Sequence, residues 1–140
     1  MTVTNENLLQ EGYRTWGNVD AFEDLIGPFY FKKFDDGHYH SAFVSEKRHL
    51  NGSGNLHGGL LMSFADFAMF VIAKDHFDGD AVTVGFNSEF IAAGASDALI
   101  EASGEVTKAT GSMLFVRGKI FSAQDTIMTF SGILKKIRRR

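Results

Sequence analysis

Residues 58–73 form a sixteen-residue run, Gly-Gly-Leu-Leu-Met-Ser-Phe-Ala-Asp-Phe-Ala-Met-Phe-Val-Ile-Ala, in which Asp66 is the only charge. The run reads as the core of a long helix over residues 58–74. Its apolar residues (Leu60, Leu61, Met62, Phe64, Phe67, Met69, Phe70, Val71 and Ile72) point almost all the way round the helix. Such a helix must be covered on several sides. The run is too short for a comfortable bilayer span, and a central carboxylate is costly there. The cover must therefore be protein. A sheet curled around the helix supplies one side, and a second subunit is expected on the other.

The rest of the chain supplies that sheet. Asn18 is placed to cap a short helix over 19–26, stopped by Gly27 and Pro28. Residues 29–34 and 38–44 read as a hairpin around Asp35-Asp36-Gly37. Residues 47–56 form a polar, glycine-rich loop. After the long helix come four strand candidates, 81–91, 98–107, 113–121 and 127–134, separated by turn residues. In the first, Val82, Val84 and Phe86 alternate with Thr83, Gly85 and Asn87, which predicts one apolar face without Thr83. Short connections require antiparallel pairing. The expected class is α+β, one long helix and an antiparallel sheet of five to six strands. The domain division is an N-terminal segment, 1–17, a main domain, 18–136, and a basic tail, 137–140.

Composition narrows the chemistry. With no cysteine in 140 residues there is no disulfide, thiolate nucleophile or cysteine-based metal site. The last six residues hold five of the 14 basic residues, so the body is acidic and unsuited to phosphate backbones. That argues against a nucleic-acid partner. Without a basic region followed by an apolar run at the N-terminus, a soluble cytoplasmic protein without membrane contact is the expectation. No Gly-x-Ser-x-Gly elbow is present, which argues against a serine-triad hydrolase. His38 and His40, two apart on one strand, could join His49 on a metal, but exposed strand histidines ordinarily have no such role. No metal and no cofactor is expected.

Asp66 is the residue out of place. Its helix neighbours Met62, Ser63, Met69 and Phe70 offer no cation. It is either a structural carboxylate bonded to backbone or water, or a catalytic one made more basic by burial. His57-Gly58-Gly59 stands at the helix start, where unpaired N–H groups and the positive dipole end collect. Glycines there let another molecule approach, as in an oxyanion hole, although a flexible capped hinge would look the same. From His57 to Asp66 the helix rises about 13 Å and turns half a revolution out of phase. Two such residues serve one site best when they come from two chains.

The segment Asn51-Gly-Ser-Gly-Asn-Leu-His57-Gly58-Gly59, followed by Ser63-Phe-Ala-Asp66, resembles the hotdog-fold acyl-CoA thioesterases. The nearest group is the phenylacetate-degradation (PaaI-like) type, which also takes in thioesterase-superfamily member 2. The likeness in element order runs from about residue 18 to 136. It implies a hotdog fold, hydrolysis of acyl-CoA to an acid and CoA, and a homodimer that pairs into a tetramer. It also implies roles for residues. The Gly58 N–H would polarise the thioester carbonyl, Asn51 would help position the acyl group, and His57 would orient the loop. Asp66 of the opposite subunit would act as base on water or as nucleophile. Thr83 stands where a relative carries a serine that helps hold the water. Gly85 stands where relatives often have an acidic residue.

Within this reading, Gly59, Lys108, Gly111 and Ser112 are expected to contact the substrate, and CoA enters as part of the substrate. Lys119, Arg117 and the C-terminal basic run are further options for its phosphates. Two other readings stay open. A hotdog dehydratase or hydratase would place its histidine in a proline-rich segment or an Asp–His motif, which this chain lacks with its single proline, Pro28. A non-catalytic acyl-CoA-binding protein would have no need of Asp66.

Overall fold

Residues 2–137 are described by the computed structural model; 138–140, the end of the basic run, lie outside the described residues. In chain order the elements are α1 (Asn5–Gln10), α2 (Ala21–Ile26), β1 (Tyr30–Lys33), β2 (Tyr39–Val44), α3 (Gly58–Ile72), β3 (Asp80–Phe90), β4 (Leu99–Ala109), β5 (Met113–Ser122) and β6 (Asp125–Ile137). Single 3-10 turns lie at Lys47–His49 and Lys74–His76. The six strands form one sheet in the order β1-β2-β4-β5-β6-β3, and every pairing is antiparallel.

β3 and β4 follow each other in the chain but are not neighbours. β3 pairs with β6 at one edge and β4 with β2. The connection 91–98 therefore crosses the end of the sheet instead of making a hairpin. It is pinned beside the start of α3, where the Leu56 N–H donates to the Gly94 carbonyl at 2.9 Å.

α3 lies on one face of the sheet and buries Leu60, Leu61, Phe64, Ala65, Phe67, Ala68, Met69 and Val71. Each large side chain buried there contributes about 1.5–3 kcal/mol. Opposite it stand Ile100, Leu114, Ile120, Met128 and Leu134, all fully buried. Gly132 of β6 lets the helix come close: a Cβ there would overlap Met69 Sδ.

Part of the cover assigned to a second subunit comes from the chain itself. Phe29 packs on Phe64 and Phe67 with ring centroids 5.1 and 5.4 Å apart, and Trp16 reaches Phe67 at 6.0 Å. The hairpin brings its own aromatics onto the helix. What stays open on α3 is a stripe of Gly59, Met62, Ser63, Asp66 and Phe70, spaced one helical turn apart.

Two details of the N-terminal region differ from expectation. The short helix begins at Ala21 and is capped by Asp20, whose Oδ1 accepts from the Glu23 N–H at 3.0 Å; Asn18 sits earlier, with φ of 57°. α1 was not foreseen. Thr4 and Asn7 cap it reciprocally, with Asn7 in the place where Glu or Gln marks a capping box. Its Leu8 is buried with Tyr13, Tyr30 and Ala42, and Arg14 bridges to Phe31, so residues 8–16 are packed onto the sheet. Among the described residues, no helix is long and apolar enough to cross a membrane.

Candidate active site

The helix start is built by local chain geometry. His57 is the N-cap of α3, and its Nδ1 accepts the Gly59 N–H at 2.8 Å. That leaves the Gly58 N–H without a partner among the described residues, at the positive end of the helix. The Phe90 ring stands 3.1 Å from where a Gly58 side chain would begin, so glycine is what keeps this donor approachable. Gly58 shares a cavity of about 410 Å³ with Asn51, Phe90 and Gly94.

Asn51 holds the preceding loop in shape. Its Oδ1 accepts from the N–H groups of Ser53 at 2.9 Å and Asn55 at 3.2 Å. The turn and the site are therefore not competing accounts of Asn51, because the carbonyl oxygen serves the loop and the amide nitrogen is left over. His57 is exposed, with its ring turned to Gly59.

Asp66 lies in other cavities of the same chain. It is half-buried, where the sequence suggested full burial. Thr83 Oγ1 donates to its Oδ1 at 2.6 Å. Thr83 faces away from Val82 and Val84, as alternation expects, but its face and not theirs turns to the helix. A β-bulge between Thr83 and Gly85 inserts Val84 as an extra residue. Thr83, opposite buried Leu134, and Phe86, opposite Gly132, therefore both turn to the helix side, while Val82 and Val84 are 41% and 52% exposed. Simple period-two reading cannot detect an inserted residue.

The residue that sequence reasoning missed is Glu23. α2 borders the cavities on the open stripe of α3, and Glu23 lines both of those that hold Asp66, of about 450 and 560 Å³. The smaller also has Gly59, Met62 and Phe86 in its wall; the larger has Thr83 and Phe70. Burial first, then the charges of Asp20, Asp66 and Asp24, push the Glu23 carboxyl up to about 7. Its position behind a capping Asp was the only available signal, and that pattern reads as an ordinary helix start.

α2 is also tied to the loop that carries Asn51. Arg48 donates to the carbonyls of Leu25 and Gly27, and the His49 ring bonds the Ile26 carbonyl at 2.7 Å. The other His49 nitrogen accepts from the Glu46 N–H at 2.9 Å, and burial holds its pKa below the ordinary histidine value. Both nitrogens are occupied, so His49 is unsuited to join His38 and His40 on a metal. His40 instead stacks on Phe34 at 4.0 Å. Among the described residues no group of three or more His, Asp or Glu is placed to hold a metal ion.

Lys108, Gly111 and Ser112 stand exposed around the β4–β5 turn, in neither the Gly58 cavity nor those of Asp66. Arg117 is engaged by Glu105, its Nε donating at 2.7 Å.

The Thioesterase superfamily profile matches residues 53–129, more than half of the chain, including the helix start, Asp66 and Thr83. The chain belongs to the Thioesterase superfamily. Membership makes it a thioester hydrolase in general kind. The chain is 26% identical over 125 residues to a Pseudomonas aeruginosa protein named "Putative esterase PA0474", covering 88% of this chain and 93% of that one. The PaaI protein of the Escherichia coli phenylacetic acid degradation operon is 24% identical, with a TM-score of 0.74 over 96% of this chain and 91% of its own. The Bacillus halodurans protein BH2602, solved with CoA, is 21% identical, with a TM-score of 0.76 over 96% and 89%. These likenesses to solved structures establish the hotdog fold for this superfamily member.

Proposed function

We propose that this thioesterase hydrolyses acyl-CoA at a site completed by two copies of the chain. One copy supplies the Gly58 N–H and Asn51, and the other supplies Asp66 held by Thr83. The observation that carries the reading is the Thr83–Asp66 hydrogen bond, which orients one carboxylate toward a cavity on the open stripe of α3. A structural carboxylate needs no such cavity. CoA in the Bacillus halodurans structure and in a Streptococcus pneumoniae hypothetical thioesterase supports a CoA thioester as substrate.

In this reading the thioester carbonyl oxygen accepts from Gly58, which favours the charge that develops on it. Asp66 takes a proton from water, and the water oxygen attacks the carbonyl carbon. The tetrahedral intermediate expels sulfur, the carbon–sulfur bond breaks, and the thiolate takes up the proton that Asp66 removed from water, giving CoA and restoring the Asp66 carboxylate. His57 orients the donor through Gly59, and Lys108, Gly111 and Ser112 remain proposed contacts for the coenzyme.

Separation of the two half-sites in one chain supports a dimer. So does β3, an eleven-residue edge strand with Val82 and Val84 exposed, since a long unpaired edge is ordinarily covered. Two β3 edges paired antiparallel would continue the sheet, and such dimers could pair into a tetramer.

The test is a panel of acyl-CoA substrates, aromatic and aliphatic, with detection of released thiol, on the native protein and on Asp66→Asn. The variant is expected to lose on the order of 100- to 10,000-fold in turnover with acyl-CoA binding and melting temperature retained. Near-native turnover would refute Asp66 as base. Binding by the native protein without any turnover would return the non-catalytic reading.

A further inference from the structure

α2 sets Glu23 beside the one stripe of α3 that the sheet leaves open, and Glu23 and Asp66 line the same two cavities. Thr83 holds Oδ1 of Asp66, and no protein group among the described residues donates to Oδ2. Glu23 is half-buried and has no ion pair among the described residues; the pairs that exist, Lys33–Asp75, Arg48–Glu46 and Arg117–Glu105, lie elsewhere. Among the described residues the charged groups that act on it are acidic: Asp20 and Asp24 on its own helix and Asp66 from α3. Arg48 and His49 are directed to carbonyls at the far end of α2, and Arg48 is paired with Glu46. Glu23 thus has one evident way to relieve the local negative charge, which is to carry a proton.

We propose that Glu23 is a positioning residue for Asp66: its carboxyl shares a proton with the unclaimed oxygen of Asp66, directly or through one water, and its ionisation releases Asp66 to act as base. The proposal rests on the reading of Asp66 as the base in thioester hydrolysis. With Glu23 protonated, its O–H donates toward Asp66 and weakens that carboxylate as a proton acceptor. When Glu23 ionises, its proton passes to solvent and its negative charge favours a proton on Asp66. Only O–H bonds change. Because Glu23 is pushed up to about 7, this exchange falls within the ordinary assay range. Activity should rise with pH through that region.

Two measurements test this. Turnover and KM are followed from about pH 5 to pH 9 with one acyl-CoA for the native protein, Glu23→Gln and Glu23→Asp. Carboxyl-carbon NMR follows the titration of Glu23 in the native protein and in Asp66→Asn. The native profile should show a step near the Glu23 midpoint. Glu23→Gln should lose the step and fall about three- to tenfold in kcat at alkaline pH, with KM within about twofold, because its amide donates at every pH. Glu23→Asp should restore a step. The Glu23 midpoint should fall when Asp66 is neutralised. Retention of the native step by Glu23→Gln, or an unmoved midpoint in Asp66→Asn, would overturn the proposal. If the native protein cleaves no acyl-CoA, the acyl-CoA reading fails, and the NMR midpoint still decides whether the two carboxyls are coupled.

Discussion

At the residue scale the site depends on which hydrogen bonds are already spoken for. Among the described residues, the Gly59 N–H is bound to His57 and the Gly58 N–H has no partner; Oδ1 of Asp66 is bound to Thr83 and Oδ2 has no donor. Hydrogen bonds to charged groups are worth about 1.5–3 kcal/mol. Thr83→Val, which keeps the shape and removes the donor, should therefore lower kcat roughly tenfold or more, and Thr83→Ser should recover most of it. Equal rates for the Val and native proteins would remove Thr83 from the site. Glu23 makes a separate stability prediction. Its pKa is about 7 in the fold against an ordinary 4.5. The folded state therefore binds more protons across that interval, and stability falls as pH rises through it. Its penalty is absent below 4.5 and complete above about 7. Glu23→Gln should melt with the native protein at about pH 3.5 and a few degrees higher at about pH 8. The gain stays well under the full shift, because a half-exposed group is screened by solvent. Thermal melts at the two pH values decide it.

At the element scale, α3 and the strands across from it are fitted by size. Gly132 is the clearest case, since it stands where Met69 of α3 and the Gly85 carbonyl close in, the latter 2.9 Å from a would-be Cβ. Gly132→Ala must push the helix or the β3 edge outward. Overpacking of this kind costs about 1–3 kcal/mol, readable as a lower urea midpoint. The same variant displaces Phe86, the strand partner of Gly132, and with it one wall of the Asp66 cavity. A stability unchanged within error would show that the contact yields freely. The bulge at Val84 works at this scale too, because one extra residue brings Phe86 onto the face on which Thr83 meets α3.

At the scale of the whole molecule, the two half-sites lie in different cavities of one chain, and this sets the test of assembly. Asp66→Asn keeps an intact helix start, and Gly58→Pro keeps an intact carboxylate. Each alone should be nearly inactive. Unfolded together and refolded as a mixture, they should recover about a quarter of native activity, because half the dimers are mixed and each mixed dimer has one complete site. Light scattering should find a dimer or larger at micromolar concentration. A monomer with activity, or no recovery in the mixture, would place the whole site within one chain.

What the sequence determined alone follows from patterns that are local in the chain. The apolar run at 58–73 specifies a covered helix, turn residues specify antiparallel strands, and Asp66 and His57-Gly58-Gly59 stand out against their surroundings. The cap of α2 was misplaced by two residues because Asn18 and Asp20 are both good caps, and only the chain path decides between them. Tertiary structure decided the rest. The inserted Val84 brings Phe86 onto the face of Thr83, and strand alternation carries no mark of an extra residue until the partner strand is present. Phe29 and Trp16 cover α3 because the hairpin and the N-terminal segment fold back on it, contacts between segments more than thirty residues apart in sequence. Glu23 shares its cavities with Asp66 for the same reason. A carboxylate in a short helix carries no sign of its neighbours, and its proton affinity is a property of the charges and the burial that the fold brings to it.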